Sequence, residues 1–187
     1  MLVVFFITAF LLGLAGGIVY LIYLPFRNYL IRKGKLTAEM NRKVNIAYIF
    51  VILVLSGYFT FDAFFPGKSF FKNEFNTVTL RELPESAIFI EKNASYPDFH
   101  GDYCSSSQIM LSQIDYTNLL NEITNDTRIS KDKYIVGSDE FSKTLGDKKA
   151  GDITNVFRRR IGVNNDFYYY IGFYKDGRTV FVTVCVV

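Results

Sequence analysis

Histidine occurs once in this chain of 187 residues, at His100, and cysteine twice, at Cys104 and Cys185. A zinc finger needs about four such ligands, and a cysteine nucleophile needs a base and a recognisable local signature. Neither pattern is present, and Walker, Rossmann and nucleophile-elbow motifs are also missing. These absences remove the commonest signatures of nucleotide-binding, metal-dependent and covalent-catalytic proteins, and no cofactor is expected.

Charge is missing in a more organised way. Residues 1–26 contain no Asp, Glu, Lys, Arg or His, and neither do residues 44–61. Each run meets the length of roughly 17 to 25 apolar residues that crosses the hydrocarbon of a bilayer. A cleaved signal peptide is the competing reading of the first run, which however lacks a basic n-region and is too long for an apolar h-region. A buried core helix is the competing reading of the second. There Ile46, Tyr48, Ile49, Val51, Ile52, Leu53 and Leu55 leave no polar stripe. A transmembrane hairpin is therefore expected in residues 1–65, with helices over about 1–24 and 44–65.

The basic residues are concentrated between the runs. Residues 27–43 hold Arg27, Arg32, Lys33, Lys35, Arg42 and Lys43 against Glu39 alone, and subtracting that +5 from the chain's +3 leaves −2 for the remainder. The bias of short basic loops makes 27–43 cytoplasmic and puts the N-terminus and residues 66–187 on the other side. The alkaline balance thus describes topology, and no nucleic-acid partner is expected. Gly13 and Gly17 have the spacing at which helix backbones approach closely, with the Ser56 and Gly57 surface as the expected partner. Homodimerisation through the same glycines is the alternative.

Residues 66–187 have the composition of a folded domain. Strands are expected at 77–80, 87–91 and 108–111 and a loop over 93–102. A helix of about a dozen residues should start at Ser112, with Asp115 three residues on. A weaker helix is expected near 139–145, and a third, capped by Asp152 and carrying Ile153, Val156, Phe157 and Ile161. The clearest local signal is a hairpin of 167–174 and 179–187 about Asp176-Gly177. Its register sets Phe173, Ile171, Tyr169 and Phe167 against Val180, Val182, Val184 and Val186. Tyr174, Tyr170 and Tyr168 then meet Thr179, Thr183 and Cys185 on the other face. The expected ectodomain is α+β, an antiparallel sheet with helices on one face.

Several residues could do more than pack. Cys104 and Cys185 form a disulfide if the domain matures in an oxidising compartment, and are otherwise two unrelated buried thiols. Asp98, His100 and Asp102 alternate and offer oxygen and nitrogen ligands if extended, but Pro97 and Gly101 favour a turn, and no metal is expected. Arg158, Arg159 and Arg160 suit phosphate or anionic headgroups, or form a solvated helix face. Tyr168 and Tyr170 provide contact area with polar tips for a protein partner, or pack in the sheet. With His100, Asp102 and Tyr103, these arginines and tyrosines make up the candidate partner-binding set. Two triplets, at 93–95 and 125–127, match the glycosylation sequon, which matters only in a eukaryotic secretory route.

Leu83-Pro84-Glu85-Ser86-Ala87, His100-Gly101-Asp102-Tyr103 and Leu111-Ser112-Gln113-Ile114-Asp115-Tyr116 together cover about a third of the ectodomain. They resemble a pattern in small, mostly uncharacterised bacterial envelope proteins, some of which look like immunity factors encoded beside antibacterial toxins. The resemblance implies a bacterial inner-membrane protein and brings no catalytic residues; with the two spans and the charge bias it makes the expected location a multi-pass inner-membrane protein with a periplasmic C-terminal domain. With a short anchor, a compact ectodomain and no catalytic constellation, the expectation is a non-enzymatic binding protein that neutralises a toxin at the inner membrane. A structural or accessory subunit of an envelope or secretion complex is the alternative. The partners expected are the lipid bilayer and one protein.

Overall fold

A computed structural model describes residues 2–95, 101–135, 137–159 and 167–186. The chain divides into two compact units, Met1–Phe65 and Pro66–Val187.

The first unit is a helical hairpin of α1 (Leu2–Arg32) and α2 (Ala38–Phe64). Both helices are long and apolar enough to cross a membrane. No residue of α1 is buried, and in α2 only Ser56 and Thr60 are. A core helix of a soluble domain would be covered; these present apolar side chains all round. Both helices run into the basic segment, so the expected 27–43 loop shrinks to a tight turn. Pro25 removes one backbone donor, yet α1 continues past it. Arg27 Nε there donates to Asn41 Oδ1 at 2.7 Å, and Tyr20 donates to Asn45 Oδ1 at 3.2 Å. Gly34, at φ +66°, closes α1, with the Lys35 N–H returning to the Leu30 carbonyl at 3.0 Å. Thr37 then caps α2, accepting from the Met40 N–H.

The helix contact falls on a different glycine from the one expected. Gly13, Gly17 and Gly57 have no neighbouring atom within 4 Å of a would-be Cβ, whereas a Cβ on Gly16 would overlap the Tyr48 hydroxyl and touch Ile52. Of the expected packing residues only Ser56 is buried, its hydroxyl donating to the Ile52 carbonyl at 2.7 Å. Spacing alone does not say which way a helix is rotated. Gly16 lies about 100° around the helix from Gly17, and the Tyr48 side chain selects it.

The second unit opens with α3 (Lys68–Thr79), where a strand was expected at 77–80. Phe71, Phe75 and Val78 recur at helical spacing and are all buried, and Leu80 ends the helix in the left-handed conformation at φ +60°. There follow β1 (Ile88–Ala94), β2 (Tyr103–Met110), α4 (Gln113–Thr124), β3 (Ile129–Asp132), α5 (Asp139–Leu145), β4 (Ile153–Arg159), β5 (Phe167–Tyr174) and β6 (Thr179–Val186). Ser112 caps α4 as expected, accepting from the Asp115 N–H at 3.0 Å. The weak helix at 139–145 is α5, capped by Ser138.

The six strands form one antiparallel sheet in the order β1-β2-β6-β5-β4-β3. The β5–β6 register is the expected one, from Phe173 opposite Val180 to Phe167 opposite Val186. Gly177 turns at φ +69°, and Asp176 accepts from the backbone of Arg178 and Thr179. The expected third helix is absent from the described residues. Ile153, Val156 and Phe157 lie on β4 and not on a helix, because β3 and β5 pair with that segment on both sides; Ile161 lies outside the described residues.

The sheet also carries helices on both faces. Phe75 and Val78 of α3 and Leu119 and Ile123 of α4 pack with Ile171, Phe173, Val180, Val182 and Val184. Phe141 of α5 packs against Phe181 on the reverse face, beside Tyr170 and Tyr174. Tyrosine and threonine are buried there because their polar tips find partners, Thr183 with Ser106 at 3.1 Å among them.

Candidate functional site at one end of the sheet

Strand pairing sets β2, β4, β5 and β6 so that Tyr103, Arg159, Phe167 and Val186 all stand at the same end of the sheet. This gathers most of the expected partner-binding residues, and strand alternation then sorts them onto opposite faces. Tyr103, Arg159 and Tyr169 share the face covered by α3. Cys104, Arg158, Tyr168, Tyr170 and Cys185 share the other. Asp102 is half-buried just before β2, while His100 and Arg160 lie outside the described residues.

Cys104 and Cys185 are directly opposite across β2 and β6 and form a disulfide with a Cα separation of 4.1 Å. The contact is the one the hairpin register demands, since Cys185 also faces Tyr168 on β5. The crosslink joins β2 to β6, adjacent strands inside the sheet.

The arginine triplet does not form a basic helix face, because Arg158 and Arg159 alternate on a strand. Arg159 crosses to α3 and donates from Nη1 to the Thr77 carbonyl. Arg158 sits on the reverse face with its guanidinium carbon 5.2 Å from the Tyr168 ring centre and 5.7 Å from that of Tyr170. Its Nε is buried without a hydrogen-bond partner. Tyr170 is itself buried, which pushes its hydroxyl above the ordinary tyrosine range although Arg158 opposes the shift.

A further group was missed from sequence. Glu74 of α3 is buried on the face that carries Phe71, Phe75 and Val78, and points at the sheet end. Ser105 donates to its Oε2, and the Tyr103 hydroxyl lies near; Oε1 has no hydrogen-bond partner. Burial pushes the Glu74 carboxyl up to about 7 against the smaller pull of Ser105 and Tyr103, so the group is largely protonated below neutrality. Burial, with Glu74 and Tyr169 beside it, also raises the Tyr103 hydroxyl. The signal available in the sequence was a lone acid inside an otherwise apolar helical stripe.

Among the described residues, no group of three His, Cys, Asp or Glu side chains is placed to hold a metal ion. On the reverse face, Tyr134, Ile135, Phe141 and Val156 line an apolar depression beside the Arg158 cluster. The arrangement offers Arg158, the half-buried Tyr168, and an adjoining depression lined by Lys133, the exposed Tyr134 and apolar side chains, which is the chemistry of a protein contact. Compared with protein-family models, curated proteins and solved structures, the chain matches none of them.

Proposed function

We propose that this chain is a non-enzymatic binding protein held in the bacterial inner membrane by α1 and α2, with residues 66–187 in the periplasm, and that it neutralises an antibacterial toxin there. The observation that carries the binding role is the convergence of Arg158, Tyr168 and Tyr170 on one sheet face beside an apolar depression. Arginine and tyrosine are the residues that most often dominate protein contacts, because each buries a large area with few torsions to freeze. Two observations support the location. The charge bias of residues 27–43 favours a cytoplasmic turn, and a disulfide persists where the compartment is oxidising.

The experiment is a competition between a parent strain and one lacking this gene but keeping its neighbours. The deletion strain is expected to lose, and to be rescued by the gene supplied elsewhere. Equal survival, with no toxin encoded nearby, overturns the immunity role. Extraction in mild detergent separates it from the accessory-subunit reading, which requires several membrane proteins recovered in fixed proportion and not one toxin.

A further inference from the structure

We propose that Arg158, held between Tyr168 and Tyr170, is the receptor for a single carboxylate presented by an acidic side chain of the protein partner. The inference rests on the binding-protein reading above and names the chemistry that its surface selects.

Four other cations of the domain are paired with carboxylates. Arg81 reaches Glu122 and Asp126, Arg128 reaches Asp126, Lys148 reaches Asp176 and Lys175 reaches Asp152. Arg159 is taken by the Thr77 carbonyl. Among the described residues no carboxylate lies within ion-pair distance of Arg158, and its buried Nε has no acceptor. Two ring faces hold the guanidinium by cation–π attraction. Cation–π attraction uses none of the N–H donors, and among the described residues no acceptor takes the Nε–H. A carboxylate matches the guanidinium edge with two parallel hydrogen bonds, which lysine cannot make.

The patch fits a protein acid better than an anionic membrane or a phosphate. Lipid headgroups recruit clusters of several basic residues, and strand alternation leaves only Arg158 on this face of β4. Two residues along the same strand, about 7 Å away, Val156 opens onto the apolar depression with Tyr134, which is 71% exposed. Asp132 pairs with Val156 across β3, and Lys133, next in the chain, lines the depression. The face therefore asks for an acidic residue with an apolar neighbour.

The test uses the full chain, labelled with 15N-arginine, in zwitterionic micelles, with the Arg158 Nε–H resonance assigned by its loss in Arg158→Lys. The probe is the blocked dipeptide acetyl-Glu-Leu-amide; acetyl-Gln-Leu-amide, sodium chloride at equal ionic strength, sodium phosphate and dihexanoyl-phosphatidylglycerol are the other arms. The expected result is a saturable shift with the Glu peptide, at a midpoint about tenfold below that of any other arm, weakened severalfold by Tyr168→Leu. An equal response to the Gln peptide or to chloride overturns the proposal, as does a stronger response to phosphate or to the lipid. If the Glu peptide binds as expected while the gene deletion has no phenotype, the carboxylate site stands and the toxin-neutralising role alone fails.

Discussion

Replacing Glu74 with glutamine keeps the shape and polarity of a neutral carboxyl while removing its proton, and so isolates the effect of burying this acid. In the folded domain the carboxyl is held at about 7 by burial, against an ordinary value of 4.5. Below pH 4.5 it is protonated both folded and unfolded, and has no effect on the pH dependence. Between 4.5 and about 7 the folded state binds more protons, so stability falls as pH rises; above 7 the whole penalty is present. At about 1.4 kcal/mol per unit, the displacement amounts to about 3 kcal/mol, a large share of the stability of a small domain. Urea unfolding of the full chain in mild detergent, followed by tyrosine fluorescence from pH 4.5 to 8.5, reads this directly. The wild type minus Glu74→Gln difference is expected to grow by about 3 kcal/mol across the window and then level off, the variant being the more stable at pH 8. Taking the difference cancels His100 and every other titrating group. A difference that stays flat, or a variant that keeps the wild-type slope, refutes the assignment of Glu74 as a protonated buried acid.

Four other outcomes follow from the packing. Reducing the disulfide, or Cys185→Ser, should lower stability by about 4 kcal/mol, because the bond closes a loop of 81 residues in sequence; denaturation with and without reductant checks it. Gly172→Val should cost about 2 kcal/mol or more in the same unfolding assay, since even a Cβ there would stand 2.6 Å from Ile135 and 2.9 Å from Ile153. Gly16→Leu should lower the stability of the helical hairpin and Gly13→Leu should leave it unchanged, because of these two glycines only Gly16 meets α2; thermal unfolding in mild detergent followed by helical circular dichroism checks it. Protease added outside sealed spheroplasts should cleave within residues 66–187; an intact domain there, cleaved once membranes are broken, contradicts the proposed orientation.

Features set by local chemistry or by long composition were legible from the residues alone. Two charge-free runs give two helices apolar all round, because nothing in them could face water in a stripe. Asp176-Gly177 between β-rich runs fixes the last hairpin residue by residue, since a turn with a defined number of residues leaves a single register. That register, with the cysteine pair, puts Cys185 beside Tyr168. Ser112 and Asp115 announce α4 because a cap is a local hydrogen bond.

Other features depended on contacts between segments far apart in the chain. Val156 and Phe157 fit a helix or a strand equally in so short a segment, and pairing with β3 and β5 settles the matter. With that, Arg158 and Arg159 part company to opposite faces, and a charge cluster becomes one guanidinium beside two tyrosine rings and one tie to α3. The second covered face of the sheet was hidden because tyrosine, threonine and cysteine read as half-polar until their tips are seen to be bonded or crosslinked. Which glycine α2 touches depends on the rotation of α1, a quantity set by side chains of α2 such as Asn45, Tyr48 and Ile52 and by no spacing within α1. Glu74 looks like a surface acid until Ser105 and the strands of a distant hairpin close over it; its proton affinity is a property of the folded core alone.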